Sequence, residues 1–560
     1  MMCHQRVVPL RIRNKRERLL MRFLKNPWLS VLAAVILVGD PARTCTGILV
    51  TKGASADGST MITYAADSHD LYGELYFNPA GIHPPGTMRD IIEWDTGKFL
   101  GRIPQAAVTY QTIGNMNEHQ VAITESTWGG RKELRGPSGM IDNGSLIWLA
   151  LERARTAREA IAVMTSLVAE HGYASTGESF SIADANEVWL MEMIGKGEGR
   201  KGAVWVALKV PDGYVTAHAN HARIRTFPQN DPDNVLTSGD VISFAREMGW
   251  FAGEDAEFSF ADAYSPTDFG KLRFCDARVW SVFRRAAPSL DLPVAMVLGD
   301  VQAERLPLWI RPDQRLSVAD VMALMRDHFE GTELDMSQDV GAGPFALPYR
   351  WRPMTWESDG QPYIHERAIS TQQTGYSLVS QSRSWLPDPI GGVLWFGLDD
   401  TASTVYMPMY VGINRVPQSM AVGTGDFSKF TWESAFWTFN FVANWAYSRY
   451  RDMIVDVRKV QQELEGRFLA DQPQVDQAAL ELYQRAPRLA RDYLTDYSVG
   501  VGDETVARWR KLGEHLIWKY LDGNVRDTQG TVTHPRYPEC WYRRIAADHG
   551  ETLRQIGTDE

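Results

Sequence analysis

Cys45 follows a leader-like segment, and a strand-turn-strand pattern begins at once: Cys45-Thr46-Gly47-Ile48-Leu49-Val50, then Ala56-Asp57-Gly58-Ser59, then Met61-Ile62-Thr63-Tyr64. A thiol with an ordinary pKa of about 8.5 is only a few per cent thiolate at neutral pH, so it needs a base. A chain cut between Thr44 and Cys45 carries that base on the same residue. A free α-amino group, with a pKa of about 7.7–8.0, can take the thiol proton and return it to a leaving amine. Held in a peptide bond, the same nitrogen is an amide and cannot. The chemistry expected is thiol attack on an amide carbonyl, switched on by cleavage before Cys45.

The segment 21–44 reads as a secretory signal. Arg22 and Lys25 precede an apolar stretch over 28–38, within signal length and too short to span a bilayer, and Asp40-Pro41 ends it. Residues 1–20 are strongly basic and fit no usual signal design, which makes Met21 the expected start. An exported chain, periplasmic or extracellular, follows as the expectation. Ala42-Arg43-Thr44 fits poorly before an acylated cysteine, which argues against a lipid-anchored binding protein. No later stretch is apolar enough to cross a membrane. The net charge is −11, and residues 1–44 contribute +7, so the mature chain carries −18. Such a chain repels nucleic-acid phosphates and anionic lipid, so neither is an expected partner. Cys45, Cys275 and Cys540 remain beyond the leader, too few for a disulfide scaffold. If Cys275 and Cys540 pair, Cys45 is the odd thiol.

The elements that must position Cys45 are legible as short β-rich runs at 48–51, 61–64, 107–112, 121–124, 188–193, 204–210 and 214–217. Turn signals such as Asp57-Gly58, Ala185-Asn186 and Pro211-Asp212-Gly213 join them as hairpins, which predicts antiparallel sheet. Helices are expected at 145–153 and from Thr156, which has Glu159 three residues on, to Gly172. Residues 230–360 are rich in proline and charge, with a helix expected at 318–329. Strand signals return at 377–380, 392–396 and 404–406. From Trp432 a three-four spacing of apolar residues predicts one long helix to about Gly466, its aromatic stripe serving as core.

Several separated motifs resemble the opening and later blocks of the C69 dipeptidases. They are Cys45-Thr46-Gly47, Asp57-Gly58-Ser59 with Asp67, 114–123, 178–184 with 187–192, His218-Ala219-Asn220-His221-Ala222-Arg223, and 391–397. The resemblance extends to about residue 425. It implies the N-terminal-nucleophile superfamily, which also holds choloylglycine hydrolases and penicillin V acylases. The implied fold is α+β: an αββα sandwich of two antiparallel sheets flanked by helices, over 45–425 with an inserted segment at about 230–360. Residues 426–560 then form a helical C-terminal extension. By the resemblance Cys45 is the nucleophile, Asp67 orients its amine, and Asn220 donates to the oxyanion. Arg273 matches an active-site arginine of the choloylglycine relatives, with Arg278 as the competing position. One departure is that Tyr64 stands where those relatives have an arginine three residues before the aspartate.

The implied reaction is dipeptide hydrolysis through a thioester on Cys45, with dipeptides as substrates and no cofactor or metal. Glu125, after the 121–124 strand, is a candidate acidic partner for the substrate amine. The alternative within the superfamily is an N-acyl amide substrate of bile-salt or penicillin type. His69, Asp70, Glu74 and His83, or His218 with His221, fit no metal-binding spacing. Gly177-Glu178-Ser179-Phe180-Ser181 lacks the last glycine of a nucleophile elbow, and the glycine-rich 195–202 reads as a hairpin loop.

Overall fold

Short aliphatic and β-branched runs make β1, Gly47–Val50, and β2, Thr60–Asp67, which pair antiparallel. The turn between them is set by Asp57. Its carboxylate accepts hydrogen bonds from the Ser59 N–H at 2.9 Å and from the Ser55 and Ser59 hydroxyls at 2.7 and 2.6 Å. Gly58, at φ 82°, takes the left-handed position that glycine tolerates best. The computed structural model describes residues 45–68, 71–94, 96–134, 139–351 and 354–555. The expected signal segment, His69 and Asp70 lie outside the described residues.

Thirteen further strands extend this hairpin into two sheets. They are β3 Phe77–Asn78, β4 Thr112–Ile113, β5 Met116–Asn117, β6 Ala122–Trp128, β7 Gly177–Ala183, β8 Val188–Gly195 and β9 Ala203–Lys209, then β10 Val215–His218, β11 Val235–Thr237, β12 Trp309–Ile310, β13 Thr374–Ser382, β14 Gly392–Leu398 and β15 Met407–Tyr410. The first sheet runs β12-β10-β1-β2-β13-β14-β15, and the second β11-β9-β8-β7-β6-β5-β4-β3. Their neighbouring strands pair antiparallel, as in β1–β10, β6–β7, β7–β8, β8–β9 and β13–β14. The sheets meet face to face through small polar residues. Thr124 of β6 donates its hydroxyl to the Thr63 carbonyl of β2 at 3.0 Å, and Ser181 of β7 meets the His218 ring of β10 at 2.7 Å.

The period of two decides which side chains face which layer. In β7, Ser179 and Ser181 point toward the first sheet. Phe180 and Ile182 join a core shared with α1, Asn143–Leu151, and α2, Ala157–His171. The Asp142 carboxylate caps α1 by accepting from the Ser145 N–H. Thr156 caps α2 by accepting from the Glu159 N–H at 3.1 Å, and Gly172 at φ 79° ends it, as the spacing predicts. Against the first sheet lie α3 Ala277–Ala286 on β10, α4 Val318–Met325 on β13, and α5 Ala435–Tyr447, α6 Tyr450–Arg485 and α7 Pro487–Tyr520 on β14 and β15.

Some expectations are corrected. The single long helix from Trp432 is two, α5 and α6, because Arg449 leaves helical geometry at φ −151°, ψ 57°. Its guanidinium is drawn off to Asp452 and to the Gly523 carbonyl at 2.8 Å. The second helix outruns Gly466 to Arg485, and Pro487 opens α7 at a position where a missing N–H costs nothing. The expected strand at 404–406 lies instead at Met407–Tyr410, and the helix expected at 318–329 ends at Met325. The run 107–112 divides into Val108–Thr109, paired with Gly81–Ile82, and β4 in the second sheet. Among the described residues, no helix is long and apolar enough to cross a membrane.

Candidate active site

The β1–β2 ladder continues past the end of β1. Thr46 and Ala65 exchange backbone hydrogen bonds at 3.4 and 3.0 Å. That register sets Cys45 opposite Ala66 and beside Asp67, the last residue of β2. Cys45 is 3% exposed, and its Sγ lies 3.5 Å from the Tyr64 hydroxyl and 3.7 Å from Glu125 Oε1. Tyr64 in turn donates to the same Glu125 oxygen at 2.5 Å, and Thr127 donates to Glu125 Oε2 at 3.3 Å. Burial pushes the Cys45 thiol well above its ordinary pKa, and the carboxylates of Glu125 and Asp67 push it further. The Tyr64 hydroxyl and the Asp67 backbone N–H act the other way. Burial and the two carboxylates together favour the protonated thiol.

Asp67 is fixed from two sides. Arg367 donates to Oδ2 at 2.9 Å, and the Thr374 hydroxyl at the start of β13 donates to Oδ1 at 2.7 Å. Arg367 is 300 residues away in sequence, and nothing local flags it. Asn220 sits just past the end of β10 in left-handed geometry, φ 58°. Its backbone N–H donates to Ser126 Oγ at 3.2 Å and its amide nitrogen to the Thr127 carbonyl at 2.6 Å.

Arg278, in α3 and fully buried, ties these parts together. Nη1 donates to the Cys45 carbonyl and to Thr46 Oγ1, both at 2.8 Å. Nη2 donates to Asn220 Oδ1 at 2.8 Å and to the Ala219 carbonyl at 3.3 Å. Nε donates to the Phe274 carbonyl at 2.8 Å. Because Oδ1 is the acceptor, the Asn220 amide cannot flip, and its NH2 is held on the other side. Arg273 instead forms an ion pair with Glu366. Of the two arginines considered from sequence, it is Arg278 that touches Cys45 and Asn220. One helical turn separates a guanidinium in this hub from one in a separate ion pair, and the sequence carries no mark of which faces inward.

Below the hub, His218 is pinned between Ser126 Oγ at 2.6 Å and Ser181 Oγ at 2.7 Å. Burial, with Arg223 and Arg278 nearby, pushes it down to about 3, so the ring is neutral. Gly47 is required here, since a Cβ would lie 2.5 Å from His218 Nε2. His221 pairs with Asp276 at 3.0 Å, and His83 meets Thr109 Oγ1 at 2.9 Å. His83, His218 and His221 thus each have partners of their own. Cys275 is buried and Cys540 exposed, and both are free thiols.

A cavity of about 270 Å³ opens onto Cys45. It is walled by Tyr64, Asp67, Glu74, Glu125 and Tyr376. This is near the low end for ligand pockets, which suits a small substrate. The cavity thus brings a buried thiol together with the carboxylates of Asp67, Glu74 and Glu125. The decisive comparison is a family model, peptidase family C69, that matches residues 44–463. The chain belongs to peptidase family C69. Among curated relatives, a probable dipeptidase of Salmonella dublin is 26% identical over 404 residues, covering 68% of this chain and 84% of that protein. A probable dipeptidase of Latilactobacillus sakei is 27% identical over 429 residues, covering 72% and 81%. Probable dipeptidase B of Streptococcus pyogenes serotype M1 is 22% identical over 513 residues, covering 87% and 95%. The C69 match begins one residue before Cys45 and runs into α6.

Proposed function

We propose that this C69 peptidase is an exported cysteine dipeptidase of the N-terminal-nucleophile type, activated by cleavage between Thr44 and Cys45. The observation that carries the reading is the placement of Cys45 at the head of β1, beside Asp67 and on the wall of the cavity. Two face-to-face antiparallel sheets with helices on both outer sides fit the αββα sandwich of that superfamily. The hydrolase region is 45–425 with an insert at about 230–360, and 426–560 is its helical extension.

The electrostatics fit an amine at residue 45. With the Thr44–Cys45 bond intact, two carboxylates oppose thiolate formation. Freeing the amine puts a base beside the thiol, and the ammonium it becomes is stabilised by those same carboxylates. The thiolate sulfur attacks the substrate carbonyl carbon, and the Sγ–C bond forms. Asn220, its amide orientation locked by Arg278, and a backbone N–H stabilise the oxyanion; one such donor is worth roughly 3–4 kcal/mol. The C–N bond then breaks as the α-ammonium passes its proton to the departing amine. Water, deprotonated by the amine, attacks the thioester and releases the first amino acid. Asp67, held by Arg367 and Thr374, orients the amine. Glu125 lies 3.7 Å from Sγ, close enough to receive the substrate ammonium adjoining the scissile carbonyl.

The test is mass spectrometry of active protein together with a substrate panel. The active chain should begin at Cys45, and Cys45→Ala should abolish dipeptide turnover. A different N-terminus on active protein, or turnover of N-acyl amides alone, would overturn the reading.

A further inference from the structure

The cavity that holds Cys45 and Glu125 also carries a feature that hydrolysis of an unspecified dipeptide does not require. Tyr76, Trp94 and Trp148 form a three-ring cluster on its wall, with centroids 4.8 Å apart for Tyr76–Trp94, 5.5 Å for Tyr76–Trp148 and 5.6 Å for Trp94–Trp148. All three rings are partly exposed and line the cavity, and Trp148 is steadied from behind by the core of the second sheet and its helices. Glu74 lines the same space. One of its carboxylate oxygens is anchored by the Gly423 N–H at 2.8 Å, which fixes the group without neutralising it. Half-burial raises the Glu74 pKa, and burial followed by the Glu74 charge raises the Tyr76 hydroxyl; the carboxylate and the three rings line one cavity.

A ring face attracts a cation through its quadrupole, most strongly for tryptophan, and a fixed carboxylate adds directed charge. We propose that Glu74 with Tyr76, Trp94 and Trp148 is the subsite for the first side chain of the substrate, and that it selects a cationic side chain, arginine or lysine. This rests on the dipeptidase reading. Cys45 and Glu125 take the carbonyl and the α-ammonium, and the first side chain runs on along the cavity to the aromatic wall. The guanidinium stacks on the indoles and donates to the Glu74 oxygen not held by Gly423.

The test compares Arg-Ala with citrulline-Ala, which keeps the shape and loses the charge. The expected kcat/KM ratio is about tenfold in favour of Arg-Ala. Glu74→Gln should lower that ratio several-fold, leaving the share of the ring faces, a change in discrimination that loss of fold alone would not produce. A wild-type ratio near one, or a ratio unchanged in Glu74→Gln, overturns the proposal. Calorimetric titration of Cys45→Ser protein with both dipeptides separates this from the catalytic reading. If neither peptide is turned over by the wild type, the dipeptidase reading falls. The subsite then stands only if Arg-Ala binds about tenfold more tightly than citrulline-Ala, and falls if the two bind alike or not at all.

Discussion

Replacing Arg278 by lysine tests the hub directly. The guanidinium has five N–H donors, and the structure supplies five acceptors: the carbonyls of Cys45, Ala219 and Phe274, Thr46 Oγ1 and Asn220 Oδ1. Four of these bonds are buried and the one to the Phe274 carbonyl is partly buried, with Arg278 itself 0% exposed. A lysine ammonium offers three donors from one point, so at least two acceptors lose their partner. Each buried polar group left unsatisfied costs roughly 1–3 kcal/mol, which gives roughly 2–6 kcal/mol for the substitution. Against a total stability of about 5–15 kcal/mol this is a large fraction. The urea midpoint, followed by tryptophan fluorescence, should fall clearly. Variant that remains folded should also lose about a hundredfold or more in kcat/KM, because the Asn220 amide is no longer held in one orientation. Arg273→Lys keeps its charge beside Glu366 and should leave kcat/KM within a few-fold. An Arg278→Lys protein with an unchanged midpoint and unchanged kcat/KM would refute the hub. So would equal losses at the two arginines.

Tyr64→Phe removes the donor to Glu125 and the hydroxyl that favours the thiolate. The Cys45 thiol should then be alkylated more slowly at a given pH, and stability should fall by about 1–3 kcal/mol. Gly47→Ala drives a methyl into the His218 ring, held in place by Ser126 and Ser181. Overpacking should cost about 1–3 kcal/mol or more, read as a lower denaturation midpoint. His218 titrates near 3 when folded and about 6.5 when unfolded, so between those values the unfolded chain binds the extra proton. Its contribution to stability is complete above about pH 6.5 and is lost as pH falls toward 3. The stability gap between wild type and His218→Gln should narrow by about 2 kcal/mol from pH 7.5 to pH 5. A gap that stays constant would mean the ring is not held neutral. Glu192 and Asp399, both raised to about 7 by burial, work in the opposite sense, losing stability as pH rises toward 7, and are common to both proteins.

Local chemistry wrote a good deal of this molecule into its sequence. The Asp57-Gly58-Ser59 turn and the runs beside it specify the β1–β2 hairpin, because an Asx turn and β-branched residues need no distant partner. Thr156, Glu159 and Gly172 mark both ends of α2 for the same reason. The C69 motifs mark Cys45, Asp67 and Asn220 as candidates, and the chain belongs to that family. Tertiary structure decided what surrounds them. Arg367 and Thr374 reach Asp67 across some 300 residues, and Arg278 reaches Cys45 across 233. Glu125 meets Tyr64 only because β2 and β6 belong to sheets that pack together. The break at Arg449 and the shift of β15 to Met407 have the same origin, since packing partners overrode a periodicity that read as continuous. Periodicity and capping act over three or four residues. The convergence of a thiol, two carboxylates and a guanidinium is set by strand register and sheet packing, which close only when the whole chain has folded.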